Sequence, residues 1–554
     1  MSGLLESMVE QKQLSVADAE KLFALIDQGS VQADSEEDVL HWLAVEYQLP
    51  ITSLQDVPID RQLLSEFPAR VLLKEELLPL QRTNGSVDIA TSRLFATDGF
   101  DALRSMTQLK LQPVLAPRES ILRELKERLG VGADTIDSLD DDLNLQIVEE
   151  SSDDNVDLDQ AAGDASIIKF VNQVFSDAID LRATDIHMEP FEDELRIRYR
   201  IDGVLQSVPV PSQIKRFQPA IVSRVKILSH LNIAEKRLPQ DGRIKIRIKD
   251  GEVDVRVSII PMLHGEAVVM RLLRQDSSIL ALSELHMAER EDQLFRSILE
   301  LPHGIVLVTG PTGSGKTTSL YTALSEINDS ERKIITIEDP IEYQLKGINQ
   351  IQVSEKSGLT FARGLRSILR HDPDVILIGE IRDEETAQIA VQASLTGHLV
   401  FSTLHTNDAP GAITRLIDMG VEPYLVASSL EAILAQRLVR VLCPHCKQED
   451  HTEKTHALRQ RLEIQSDAVI YQATGCEECR QTGFHGRRAV FEMMGMTNEI
   501  REMVLNEHSS GVIRQAALRS GMNTLSQDGW RLVVQGATTV NEVLRVTKDE
   551  GVKA

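Results

Sequence analysis

Gly310-Pro-Thr-Gly-Ser-Gly-Lys-Thr317, with the apolar run Gly304 to Thr309 before it and Thr318-Ser-Leu-Tyr-Thr322 after it, decides how the rest of this chain is read. It satisfies G-x-x-x-x-G-K-[ST] in the setting that pattern needs, a β-type run ahead and a helix-compatible run behind. The glycines let backbone N–H groups turn inward around phosphates, Lys316 can reach the β- and γ-phosphates, and the Thr317 hydroxyl can complete a Mg²⁺ shell. The expected nucleotide-binding residues are Gly310, Pro311, Thr312, Gly313, Ser314, Gly315, Lys316, Thr317 and Thr318, with ATP and Mg²⁺ as ligands. The competing reading, a chance glycine-rich turn, has the flanking strand and helix patterns against it.

Around this loop, residues 275 to 435 alternate strand-like and helical runs, the strand-like ones including Lys333 to Ile337, Val375 to Ile378 and His398 to Ser402. That alternation predicts a largely parallel sheet covered by helices, whose ligand site lies at the carboxyl ends of the strands. Glu338 and Asp339, Gly379 and Glu380, and Ser402-Thr-Leu-His405 follow those ends, so three polar clusters share the loop's edge. Glu380 is placed to hold the metal or its water, and Glu338 to act as base or to position the attacking water. His405 can sense the γ-phosphate, or it can be an ordinary hydrogen-bonded histidine. Glu338, Glu380, Lys316 and His405 are thus the candidate catalytic residues for transfer of a γ-phosphoryl group to water. No acceptor site for a kinase reaction is visible.

All four cysteines fall in one region, as Cys443-Pro-His-Cys446 and Cys476-Glu-Glu-Cys479 with 29 residues between the two knuckles. Two C-x₂-C knuckles complete a tetrahedral four-sulfur site, which selects Zn²⁺ in a structural role ahead of a redox pair or an iron–sulfur cluster. His445 and His485 are spare as ligands.

Before the loop, Leu195 to Arg200, Ile244 to Ile248 and Val253 to Val257 alternate apolar with charged residues, as half-buried strands do. Arg196, Arg198, Arg200, Arg237, Arg243, Arg256 and Arg271 crowd the polar face. That face is either a solvated surface or a guanidinium cluster for phosphates held by another domain or subunit. Earlier still, residues 1–48 read as a small helical segment, with a helix start at Ser35-Glu36-Glu37-Asp38. Residues 49–133 read as small α/β. The stretch 134–160 is rich in Asp and Glu without Lys or Arg, the composition of an exposed linker or of a docking tail for a basic partner.

At 554 residues and 42% hydrophobic, the chain is expected to hold several cores. A formal charge of −26 argues against free-surface binding to nucleic acid or anionic lipid. With no span-length apolar run and no signal-like start, a cytoplasmic protein is expected, held at a membrane only through partners.

Residues 165 to 550 closely resemble the secretion and pilus-assembly ATPases of the type II secretion and type IV pilus systems, the additional-strand RecA-like P-loop NTPases. The residues that carry the resemblance are Leu181 to Pro190, Tyr199 to Gly203, Ala234 to Arg243, Gly310 to Thr318, Ile337 to Glu342, Asp374 to Asp383, Thr396 to His398 with Ser402 to Asn407, Gln436-Arg437-Leu438 and the paired knuckles. Residues 50 to 130 look like these ATPases' amino-terminal domain. The resemblance implies an α/β chain: an amino-terminal domain at 49–133, a PAS-like α+β domain at 161–275, a RecA-like ATPase core at 276–440, a zinc subdomain at 441–487 and a helical carboxy-terminal domain at 488–554. It assigns Ile337 to Pro340 to an aspartate box, Glu380 to the Walker B position and His398 to His405 to a histidine box. It also makes Arg200, Arg237 and Arg243 candidates for phosphate contact. A homo-hexamer at the cytoplasmic face of the inner membrane is implied, working on a membrane platform protein and bound to the cytoplasmic domain of a second membrane protein. ATP hydrolysis would then drive pseudopilus assembly and type II secretion, or type IV pilus extension; a nucleotide-bound scaffold with little hydrolysis is the alternative of another class. The knuckles weigh against the retraction and conjugation-type relatives. The first 48 residues lack the arginine-glycine pattern of relatives that bind cyclic di-GMP, so that regulation is not expected.

Overall fold

The serine-to-acid spacing at Ser35 closes as a capping box: Ser35 Oγ accepts from the Asp38 N–H, and the Asp38 carboxylate accepts from the Ser35 N–H at 3.0 Å. The helix Glu36–Glu46 starts there and packs with Gly3–Glu10 and Val16–Asp27 around Leu5, Leu22, Leu40 and Leu43. These elements open a computed structural model that describes all residues except 1–2, 29–30, 32, 34, 55–58, 60, 65, 68, 84, 108, 130–145, 148–160, 212, 249–250, 275–279, 452–468 and 548–554. The chain divides into two compact units, Met1–Arg274 and Gln275–Ala554.

In the first unit, Leu78–Thr83, Ser86–Thr91 and Lys110–Leu115 form a three-stranded sheet whose core holds Leu78, Ile89, Leu103 and Ile121. The expected acidic linker lies outside the described residues, apart from a two-residue strand, Gln146–Ile147. That strand begins a seven-stranded antiparallel sheet, followed in order by Gln240–Ile248, Gly251–Met262, Gly265–Arg274, Asp185–Pro190, Leu195–Ile201 and Val204–Val208. Period-two alternation sends Ile197, Tyr199, Ile244, Ile246, Val255 and Val257 into one core with residues of the helices Ala161–Asp180 and Ile214–Leu228. The arginines on the same strands are largely paired off. Arg198 makes a two-pronged bond to Glu189 (2.8 and 2.6 Å), and Arg200 and Arg271 both reach Asp185 (3.5 and 3.0 Å).

The second unit is built on seven strands in the order Asn349–Gln352, Ile334–Glu338, Val375–Ile378, Leu399–Leu404, Gly304–Thr309, Leu430–Leu442 and Phe484–Gly495. All pairings are parallel except that of the last two. Gly304–Thr309 is buried along its whole length; Ile305 and Leu307 enter one core, Val306 and Val308 the other. A strand covered on both faces can be uniformly apolar, which is why this run shows no alternation. The result is a mixed α/β, RecA-like P-loop core. Two strands that the sequence patterns do not announce, Leu430–Leu442 and Phe484–Gly495, complete the sheet. Their runs contain charged residues such as Arg437 and Glu492, which the fold buries with partners. Among the described residues no helix is long and apolar enough to cross a membrane.

The helices at the carboxyl end are fixed to that sheet by a buried ion cluster. Glu542, 2% exposed, accepts from Arg440 of the long strand (2.6 Å) and from Arg545 (2.8 Å). Burial raises the Glu542 carboxyl, but the two guanidinium partners outweigh it and hold its pKa down to about 2. Trp530, Val533, Val540 and Val543 pack alongside with Ile470. Glu542→Ala should therefore cost roughly 3 kcal/mol, because it strands Arg440. Urea titration followed by Trp530 fluorescence in a Trp42→Phe background reads it directly, and an unchanged midpoint would show that the cluster contributes nothing.

Candidate functional site

The parallel register aligns Thr309 with Leu404 and with Ala435, and Ile378 with both Ser402 and Ile337, so four strands end at one edge. Side chains then stitch those ends together. Thr309 Oγ1 contacts Thr406 Oγ1 at 2.7 Å and accepts from the Thr406 N–H at 2.9 Å. The Ser402 and Thr403 hydroxyls donate to the carbonyls of Ile378 and Gly379 at 2.8 and 2.7 Å. The segment bearing Glu380 is thereby locked to the one bearing His405.

Between Thr309 and the helix Lys316–Glu326, the loop turns through Gly313 and Gly315, both at positive φ. Gly315, at φ 87°, caps the helix, whose first N–H groups and dipole favour an anion. Lys316 Nζ donates to the Gly310 and Pro311 carbonyls at 2.8 and 3.1 Å. Burial pushes the Lys316 ammonium down to about 8; the charge of Glu380 opposes the fall and that of Arg437 adds to it. Ser314 Oγ is buried without a hydrogen-bond partner among the described residues, an unspent donor inside the loop. A cradle of this kind fits a triphosphate. Thr317 and Glu380 are the residues that would hold Mg²⁺, which would neutralise phosphate charge.

Glu380 sits at the centre of the polar edge. It accepts from Arg382 at 2.5 Å and meets His405 Nε2 at 3.3 Å, and the charge of Asp339 also acts on Arg382. The structure thus brings Lys316, Glu380 and His405 together, as the sequence suggested, and adds Arg382. Glu338 stands differently: its carboxylate is buried and accepts from the Tyr321 hydroxyl, Thr336 Oγ1 (2.5 Å) and Gln350 Nε2 (3.2 Å). In this state it is spent on its own core. His398 hydrogen-bonds the Ala393 carbonyl at 2.8 Å.

The three candidate arginines lie in the first unit in unlike states. Arg200 pairs with Asp185, Arg237 pairs with Glu235 at 3.0 Å, and Arg243 is exposed with no ion pair to a described residue.

The cysteines converge. Cys443 and Cys476 Sγ lie 3.8 Å apart, and Cys479 Sγ lies 3.7 Å from both Cys446 and Cys476. A tetrahedral ion ~2.3 Å from four sulfurs would separate them by ~3.8 Å. The N–H groups of Cys476 and Gly483 donate to Cys479 Sγ at 3.2 Å, support that a thiolate ligand needs. The cluster fits Zn²⁺.

Comparison with known proteins settles the family. Residues 160–545 match the family described as Type II/IV secretion system protein, and residues 47–133 match the MshEN domain. The chain is 41% identical to the type IV pilus assembly ATPase PilB of Myxococcus xanthus, over 98% of this chain and 99% of that one. This chain belongs to the type II secretion and type IV pilus ATPase family. It is an ATPase. It is also 50% identical to the type II secretion system protein E of Pseudomonas aeruginosa, over 74% of this chain and 81% of that one. Among solved structures, the Legionella pneumophila ATPase DotB shares the fold, with a TM-score of 0.51 at 21% identity over 68% of this chain and 95% of that one.

The contacts of Arg382, Gln436 and Arg437 at this edge do not follow from the motif spacing. A charged residue inside an apolar strand run, as in Leu434-Ala-Gln-Arg-Leu-Val439, is the signal that could have found the last two.

The lowered Lys316 pKa sets a pH dependence. Phosphate binding needs the ammonium, so above pH 8 the free protein must take up a proton to bind. ATP-analogue affinity should stay level up to about pH 7.5 and weaken by up to roughly tenfold per pH unit above 8. Lys316→Met should bind weakly with a flat profile, and a flat wild-type profile through about pH 9.5 would contradict this. For the knuckles, elemental analysis should find zinc stoichiometric with the chain and lost in Cys476→Ser.

Proposed function

We propose that this chain is the cytoplasmic motor of type II secretion, hydrolysing ATP to drive pseudopilus assembly. The observation that carries the reading is the convergence of Glu380, His405, Arg382 and Lys316 on one sheet edge beside an intact phosphate loop. In this reading Lys316 and the loop N–H groups bind the β- and γ-phosphates, and Glu380 holds the metal shell. His405, hydrogen-bonded to Glu380, registers the γ-phosphate. Glu338 positions the attacking water once its hydrogen bonds to Tyr321 and Gln350 rearrange. Arg200, Arg237 and Arg243 contact nucleotide phosphates, and the antiparallel unit that carries them is PAS-like.

The working form is a homo-hexamer at the inner face of the inner membrane, engaged with a platform protein and with the cytoplasmic domain of a second membrane protein. A second reading, type IV pilus extension, has the end-to-end match to PilB behind it, and a type II secretion system protein E matches over nearly the same length. Complementation separates the two: restored exoprotein export in a type II ATPase deletion supports the first, and restored pilus extension in a pilus ATPase deletion supports the second.

At the bench, Glu380→Gln should lower kcat by roughly a hundredfold or more with nucleotide binding retained. If the wild type hydrolyses ATP no faster than this variant, the chain is a nucleotide-bound scaffold and the motor reading fails.

A further inference from the structure

The strand Leu430–Leu442 runs parallel to Gly304–Thr309 only as far as Ala435, opposite Thr309. There the chain of the phosphate loop turns away, while the neighbouring strand continues through Gln436 and Arg437. These two residues, 2% and 9% exposed, are therefore the wall against which the loop is folded.

Their contacts reach both ends of the loop. At its start, a Cβ on Gly310 would fall 2.6 Å from the Gln436 carbonyl oxygen and 3.1 Å from a terminal nitrogen of Arg437. At its end, a Cβ on Gly315 would fall 2.8 Å from Gln436 Nε2, and Gln436 Oε1 accepts from the Ser319 hydroxyl at 2.8 Å. Glycine at 310 is thus required by the Gln436 backbone as well as by its own conformation, while a Cβ at 315 would displace the end of the Gln436 side chain. Arg437 also ties its own strand to the turn beyond Leu404: one terminal nitrogen donates to the carbonyl of the adjacent Gln436 at 2.9 Å, the other to the Asn407 carbonyl at 2.7 Å. Asn407 lies two residues past His405.

Burying a guanidinium to satisfy two carbonyls is expensive, and an apolar side chain of similar volume would pack the same space at lower cost. What the guanidinium adds is a planar fork that fixes two backbone segments at once. Burial disfavours its charge and pulls its pKa down, an effect that the charges of Glu492 and Asp408 oppose only in part.

Resting on the reading of this loop as the site of ATP hydrolysis, we propose that Gln436 and Arg437 are positioning residues for that reaction. Gln436 sets the loop's end and the start of its helix, and Arg437 holds the loop's start in register with the turn that carries His405. Neither is assigned a contact with nucleotide. Misplacement of catalytic groups by about an ångström can cost on the order of a hundredfold, so a loosened turn is expected to appear in kcat.

The test uses the full chain and steady-state ATP hydrolysis with Mg²⁺-ATP, alongside titration with a fluorescent ATP analogue. Arg437→Lys keeps the positive charge beside the loop but replaces the planar fork, whose two terminal nitrogens each reach a different carbonyl, with a single nitrogen on a shorter stem. It should bind the analogue within about threefold of wild type and lose roughly tenfold or more in kcat. A double-mutant cycle with His405→Ala isolates the route: Arg437→Lys should cost little further in the His405→Ala background, because the two act through one turn. Full additivity in the cycle, or a wild-type kcat in Arg437→Lys, overturns the Arg437 assignment. Gln436→Leu, near in volume and uncharged, should raise KM for ATP roughly tenfold while kcat stays within about twofold, and an unchanged KM overturns the Gln436 assignment. Should Arg437→Lys fail to fold, as read by circular dichroism, the bridge is structural and the Arg437 assignment falls, while Gln436→Leu still decides the other half. A wild type without ATPase activity defeats the underlying functional reading instead.

Discussion

Everything at the nucleotide edge depends on the pairing of Gly304–Thr309 between two parallel neighbours, Leu399–Leu404 and Leu430–Leu442. A central strand with both edges bonded and both faces buried cannot shift register without breaking two ladders and two cores. Its last residue, Thr309, is therefore a fixed origin, and the loop that leaves it is placed relative to Glu380, His405 and Arg437 by the ladders alone. Short hydroxyl bonds from Thr309, Ser402 and Thr403 then hold the segments beyond the strand ends, where the ladders no longer reach.

The polar groups at that edge divide into those available for chemistry and those consumed by structure. Glu380 is mostly buried, and among the described residues its carboxylate pairs with the exposed Arg382 and the half-exposed His405. Glu338, one strand away, has its oxygens filled by Tyr321, Thr336 and Gln350. Two glutamates at neighbouring strand ends therefore differ in readiness, and the difference comes from partners 12 to 25 residues away in sequence, Tyr321, Gln350 and His405, as well as from the nearby Thr336 and Arg382. The same long strand that backs the loop ends at Leu442, next to Cys443, and anchors the final helix through Arg440 and Glu542, so the nucleotide edge, the tetracysteine cluster and the carboxyl end share one element.

Much of this was legible in the chain itself. The phosphate loop with its flanking strand and helix, the post-strand positions of Glu380 and His405, the tetracysteine cluster and the capping box at Ser35 follow from local spacing, and local spacing survives folding because each feature is closed within a few residues or by a ligand geometry. Less legible were the strands Leu430–Leu442 and Phe484–Gly495. Their charged residues break the apolar pattern, and only long-range partners make burial of those charges tolerable. The arginine-rich strands were recognisable as strands, yet whether their guanidinium groups are free or paired depends on carboxylates such as Asp185 and Glu189 on the adjacent strand.

The sequence by itself thus determined that the chain holds a nucleotide loop, a parallel sheet to present it and a four-thiolate site, because each rests on residues close together along the chain. Only the tertiary structure decided which of the acidic residues stands open, that Arg382 joins Glu380, and that Gln436 and Arg437 form the wall behind Gly310–Thr317. Those relations are set by strand order and register, which pair residues such as Thr309 with Leu404 and Ala435 across gaps that no local pattern records.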